Sequence, residues 1–377
     1  MLSRKLLLTA ALALLAAGSA PAQPQYFIFD IGVLPGGTAS QGTAVSPNGS
    51  VATGRSLAAT SAQAFTWTQG GGLVGLPNLA SPARTFGVGN GVNDSGVVVG
   101  TGATTSFGSS PLPLIWQNGV VSQLPLPGGQ TLGRANAVNA SNVAVGSVGS
   151  GSTEFGALFT TGSGAVITQT TANGSFLRTA FGINNAGRIV GFGIDPNNAA
   201  VNVGYVIDTA TLIAFAVPAL PGANGAIAFG VSNAGHVVGS SMLNQGSGLP
   251  FIYTDGGGTQ AIPLPAGTSQ GSARAVNSAG QAVGTASGAF AIPFLFDGTN
   301  TYRLGDILAN PTGWDLLTNT SSSALGISEN GVIVGTGVFN GVVHAYAMVP
   351  VPEPTSLALV GCAVAGYAVV RRRSKAT

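Results

Sequence analysis

Charge is the scarcest property of this chain. Asp, Glu, Lys and Arg make up 6% of its 377 residues, where an ordinary soluble domain carries about 25%. Residues 23–350 contain no lysine. Their basic side chains are Arg55, Arg84, Arg134, Arg178, Arg188, Arg274 and Arg303, set against Asp30, Asp94, Glu154, Asp195, Asp208, Asp255, Asp297, Asp306, Asp315 and Glu329, a net charge of −3. The formal +2 of the whole chain arises at its ends, from Arg4, Lys5, Arg371, Arg372, Arg373 and Lys375. With no basic patch to neutralise phosphates, nucleic acid is not expected as a partner. Cysteine is nearly absent: Cys362 stands alone near the C-terminus, so residues 23–350 hold no thiol, disulfide or thiolate metal site. Such a domain must be held by buried apolar surface, which a chain of this length can supply. What the chain has in abundance is glycine, 59 residues, and hydrophobic side chains, 45%. That composition excludes disorder and points to many turns.

The two ends carry addresses. Residues 1–22 read as a secretory signal, with Arg4 and Lys5 at the start, an apolar middle from Leu6 to Ala17, and small residues Ala20 and Ala22 at the cleavage site. Residues 351–377 begin with Pro352, Glu353 and Pro354, continue as an apolar run, and end in the basic stop Arg371, Arg372 and Arg373. The expected transmembrane segment, 355–370, is short against the about 20 residues that cross a bilayer. The basic cluster would keep its far end in the cytoplasm. This tail resembles the PEP-CTERM sorting signal of Gram-negative, matrix-forming bacteria. The resemblance implies transient inner-membrane insertion and an exosortase-type processing enzyme that recognises Pro352, Glu353 and Pro354. It implies delivery to the cell surface or extracellular matrix.

Residues 23–350 are built from one repeated hairpin. An apolar residue, Asn or Ser, two further residues, Gly and a short apolar run to Gly recur from Val45, Val92, Val138, Ile183, Val231, Val276 and Ile327, at spacings of 47, 46, 45, 48, 45 and 51. The Asn at positions 93, 139, 184 and 277 opens a turn, because its side chain reaches the backbone two residues on. Gly96, Gly187, Gly235, Gly280 and Gly331 close it where φ is positive, with Asn142 as the tolerated substitute in the third copy. The first copy has one extra residue, which predicts a bulge before Gly54. An aromatic strand follows each hairpin, as in Ala64-Phe65-Thr66-Trp67 and Pro293-Phe294-Leu295-Phe296. Four short strands per about 46 residues fit a propeller blade. The chain opens on the last strand of a unit and the body ends on a third strand, so the two fragments complement each other. The expected fold is all-β: a seven-bladed β-propeller with the N-terminal strand closing the last blade, followed by a short C-terminal transmembrane helix. A β-solenoid is the alternative, though it leaves the complementary ends without a reason.

These units resemble the HAF family of probable extracellular repeats, through His344-Ala345-Tyr346 and the hairpin Ile327 to Gly335. The family has no established activity to carry over. Motifs for chemistry are thin. His236 and His344 are the only histidines, about 108 residues apart, and no His-Glu-x-x-His or paired-cysteine site exists. His236 occupies a repeat position where other copies hold Arg188, Gln281 and Val332, which predicts a solvent-facing side chain. Asp94 and Glu329 share a turn position and are explained by turn chemistry. No cofactor is expected, and calcium at the Asp and Asn turns is left open. The expected function is a non-enzymatic exported surface or matrix protein that binds extracellular polysaccharide or envelope proteins. The alternative is a propeller hydrolase or lyase on extracellular glycan, which requires two carboxylates converging in a central funnel.

Overall fold

A computed structural model of the chain describes residues 23–352, apart from 106–107 and 244–246. Ala20 and Ala22, the segment 355–370, and Glu353, Pro354, Arg371, Arg372 and Arg373 lie outside the described residues. The described chain is all-β, with no α-helix and only short 3₁₀ turns such as Gly151–Thr153 and Leu304–Ile307. Among the described residues no helix is long and apolar enough to cross a membrane, and the fold they form contains none, in place of the expected all-β body with a membrane helix attached; the segment for which that helix was expected lies outside them.

The architecture is that of a propeller, but the expectation of seven separate blades is corrected. Five sheets of four or five strands stand alone as blades, and eight strands between Ala39 and Gln123 form one continuous sheet. The cause is local. Strand Ala62–Thr68 meets strand Phe86–Val92 in a parallel bridge at Ala62 and Phe86. The Ala62 amide donates to the Thr85 carbonyl at 3.1 Å, and Asn78 Nδ2 donates to both carbonyls, Ala62 and Thr85. The first strand, Tyr26–Gly32, pairs antiparallel with the last, Val342–Pro350, joining the two ends of the body in one sheet. Its outer edge is not left bare: Asn310 both accepts from the Ile28 amide and donates to the Ile28 carbonyl.

Seven inner strands, one per repeat, form a closed circuit: Ala39–Val45, Phe86–Val92, Gly133–Val138, Leu177–Ile183, Gly225–Val231, Thr268–Val276 and Ser323–Ile327. Each packs against the next, and the last against the first. The apolar core lies between neighbouring repeats. One cluster joins Ala64, Leu76 and Leu79 of one repeat to Val92, Val98, Leu114 and Trp116 of the next. The third strands supply the large buried rings, Phe65, Trp116, Phe159, Tyr205, Phe251, Phe294 and Tyr346, each at most 1% exposed.

The repeated Asn does more than open its own turn. Asn184 Oδ1 accepts from the Ala186 and Arg188 amides, at 3.1 and 2.8 Å, while Nδ2 donates to the Ser232 carbonyl of the next repeat at 2.9 Å. Asn93, Asn139 and Asn277 reach the following repeat in the same way, at Asn139, Asn184 and Ser328. Serine at position 46, 232 or 328 satisfies its own turn through Oγ but has no arm to span the junction. Other groups span it there. His236 Nδ1 lies 3.5 Å from the Asn277 carbonyl, and Asn330 Nδ2 donates to the Asn48 carbonyl at 3.1 Å. His236 is therefore half-buried at a repeat junction, which corrects the solvent-facing expectation. Asn184→Ala removes three hydrogen bonds from a buried site. The expected destabilisation is about 2–3 kcal/mol, and about 1 kcal/mol for Asn184→Ser, which keeps the turn half. Urea denaturation of the two variants checks both values, and equal losses would show that the junction bond contributes nothing.

The first copy also departs from expectation. The Ser46 amide donates to Val51, one residue further on than in the second copy, where the Asn93 amide donates to Val97. The extra residue is thus absorbed in the turn, and no register shift occurs between Ala52–Leu57 and Ala62–Thr68.

Candidate functional site

A bulge lies at the same point in all seven inner strands, two residues before the apolar residue that opens each hairpin motif. The register shifts between Gly42 and Ala44, Gly89 and Gly91, Ala135 and Ala137, Ala180 and Gly182, Ala228 and Gly230, Ala273 and Ala275, and Ala324 and Gly326. The unpaired residues are Thr43, Asn90, Asn136, Phe181, Phe229, Arg274 and Leu325. A bulge re-aims a side chain out of the ladder. Here all seven bulge residues line one central cavity of about 200 Å³, the throat of an axial channel. Their neighbours on both sides are Gly or Ala, because adjacent inner strands approach closely. A Cβ at Gly230 would sit 2.7 Å from the Arg274 carbonyl oxygen.

The ring is chemically divided. Thr43, Asn90 and Asn136 form a polar arc, and each clips its neighbour: the Thr43 hydroxyl donates to the Gly89 carbonyl, and Asn90 and Asn136 donate to Ala135 and Ala180 at 2.8 Å. The opposite arc is aromatic and cationic. Phe181 packs against Phe229 with ring centroids 5.2 Å apart, and the Arg274 guanidinium lies 4.0 Å over the Phe229 ring.

At the end of the channel where the inner strands begin, two larger cavities open from this ring. One, about 400 Å³, contains Gln41, Thr43, Arg55, Asn90, Arg134 and Asn136. The other, about 380 Å³, lies beside Phe229, Ser240, Ser272, Arg274 and Thr285. Both fall in the size range of small-ligand sites. The Arg55 side chain is held by Gln41, its Nε donating to Oε1 at 2.8 Å. Desolvation holds the Arg55 and Arg274 guanidinium groups below the ordinary arginine value. Among the described residues no carboxylate lines either mouth cavity or the throat.

The repeat-turn residues Asn93, Gly96, Asn139, Asn184, Gly187, Gly235, Asn277, Gly280 and Gly331 lie at the other end of the channel, in the hairpin turns. There a cavity of about 100 Å³ includes Glu329, among the described residues the one carboxylate on any of these four cavities. Glu329 is already engaged, accepting from the Ser278 amide at 2.8 Å and from Asn233 Nδ2 at 3.3 Å. Asp94 accepts from the Asn48 amide in the same girdle. His344 is paired with Asp30 at 2.8 Å in the blade that joins the chain ends. Among the described residues no cluster of three His, Cys, Asp or Glu side chains is placed to hold a metal ion. The bulge residues escaped the sequence reading because they vary. The signal that marks them is a small-x-small triplet before each motif, readable once the repeats are aligned two residues further upstream.

Residues 350–373 match the PEP-CTERM protein-sorting motif. A tail of this kind implies an exported protein, sorted to the cell surface and processed by an exosortase-type enzyme. The match covers only the tail, and none of the comparisons shows the HAF repeat family. No curated protein matches the chain. Solved structures similar to it are propellers. They include oligogalacturonate lyase from Vibrio parahaemolyticus, at 11% identity and TM-score 0.53, covering 89% of this chain and 93% of that one. They also include virginiamycin B lyase from Staphylococcus aureus, at 9% and 0.52, covering 87% and 99%. The β-propeller domain of the Trilobed protease from Pyrococcus furiosus matches at 8% and 0.52, covering 83% and 94%. At these identities the likeness shows the fold alone.

Proposed function

We propose that this protein is a non-enzymatic surface or matrix component of a Gram-negative bacterium that binds extracellular polysaccharide at the mouth of its axial channel. The observation that carries the reading is the ring of seven bulge residues. The repeat keeps its framework constant, with Asn or Ser at the turn, small residues beside the bulge and an aromatic on the third strand. It varies the one side chain aimed into the channel. A polar arc facing an aromatic arc is the pairing that a sugar, with hydroxyl rims and an apolar face, can use. The charge-poor, hydroxyl-rich surface adds weak polar contacts without attracting nucleic acid.

Binding is favoured over glycan hydrolysis by the placement of the acids. A two-carboxylate mechanism needs a facing pair about 5–10 Å apart across the substrate, and the mouth walls supply neither member. Glycan-array binding and a pull-down from matrix extract test the reading with the purified protein. A polysaccharide captured in either assay, and lost when Asn136→Trp fills the mouth, is the expected result. Two blank assays, or capture insensitive to Asn136→Trp, would overturn it.

A further inference from the structure

The mouth beside Arg274 has a property that a neutral-sugar site does not require. Three of the seven arginines between residues 23 and 350, Arg55, Arg134 and Arg274, line the two mouth cavities, in a body whose net charge is negative. The acids lie elsewhere: Asp255 with Arg188, Asp306 with Arg303, Asp30 with His344, and Asp94 and Glu329 in the hairpin girdle.

Arg274 is the sharpest case. Its planar group is held flat on Phe229, and its Nε donates to Ser272 Oγ at 3.1 Å. These two contacts fix the plane and the rotation of the guanidinium. Among the described residues, neither terminal nitrogen has an acceptor. Such a held fork fits a carboxylate with two parallel N–H···O bonds. Beside it stand the hydroxyls of Ser240, which donates to the Gly271 carbonyl at 3.2 Å, and of Ser272, both with oxygen lone pairs free to accept.

We propose that this cavity takes the carboxylate-bearing sugar unit of an acidic polysaccharide, with Arg274 on the carboxylate and Ser240 and Ser272 on the sugar hydroxyls. The proposal rests on the reading of the channel mouth as the glycan site and names the class of glycan. The same chemistry is offered by a free uronic acid, so monomer and oligomer are both required as probes.

The test is titration calorimetry of the purified protein with galacturonate, a galacturonate tetrasaccharide and the methyl ester of that tetrasaccharide. A charge-assisted pair is worth about 1.5–3 kcal/mol, so the acid tetrasaccharide is expected to bind about 10–100-fold more tightly than its ester. Arg274→Gln should bring the two to the same affinity. Arg274→Lys keeps the charge without the fork and should fall between, which guards against a folding defect in either variant. Tighter binding by the monomer than by the tetrasaccharide would overturn the polysaccharide source. Equal affinity for acid and ester would overturn the carboxylate assignment. If that equal binding is still abolished by Asn136→Trp, the channel reading survives. No binding by any of the three overturns this inference, and the wider reading then rests on the array.

Discussion

Gly284→Ala is expected to cost this protein about 3 kcal/mol or more of folding stability, at the upper end of what overpacking produces. Gly284 closes its hairpin motif from the middle of the second strand and lies opposite Phe294 on the third. A Cβ there would stand 2.0 Å from the Ser272 carbonyl oxygen and 2.9 Å from Phe294 Cζ. The first obstacle is backbone, so no side-chain rotation relieves it. The same geometry recurs at Gly54, Gly100, Gly146, Gly191, Gly239 and Gly335, each with a carbonyl oxygen of the bulged inner strand within about 2.0 Å of the added atom. The bulge pushes the inner-strand carbonyl toward the second strand, and only glycine leaves room. Gly128→Ala is the control: its added atom meets nothing within 4 Å, and the expected change is within about 0.5 kcal/mol. Guanidinium denaturation measures both. A Gly284→Ala loss below about 1 kcal/mol would show that the sheets shift apart easily and that the bulge is not fixed by packing.

Replacing Pro352, Glu353 and Pro354 together by Ala is expected to abolish surface delivery in a host that carries an exosortase. The motif match spans 350–373, and the body ends in strand Val342–Pro350, paired to the first strand of the chain. A cut after residue 352 would leave every blade intact. Intact-mass spectrometry of cell fractions checks this. The unchanged protein should appear outside the inner membrane with its mass ending near residue 352, and the variant should retain its full tail. Equal surface pools for the two would separate this protein from exosortase sorting.

The turn chemistry of the repeats was open to reading in the sequence because Asn, Gly and the aromatic strand each answer to a local rule. The complementary ends were open for the same reason, since Tyr26 to Gly32 reads as the last strand of a unit, and it pairs with Val342–Pro350. The fusion of two repeats into one sheet was not, because it depends on where the Thr85 carbonyl meets Ala62 in space, and no periodicity marks that. The candidate site was hidden for a third reason. Attention to repeated residues selects the framework, and in this chain the candidate site is lined by Thr43, Asn90, Asn136, Phe181, Phe229, Arg274 and Leu325, where the repeat leaves its sequence free. His236 misled in a related way: its position varies, yet it spans a repeat junction that Ser232 cannot bridge.

The most direct measurement is a crystal structure of the protein grown with an oligosaccharide that the array selects. Density at the channel mouth, in contact with Phe229 and Asn136, is the result expected if the bulge ring is the recognition surface. A well-bound oligosaccharide on the outer strands or at the hairpin end beside Glu329, with the mouth holding only solvent, would contradict it.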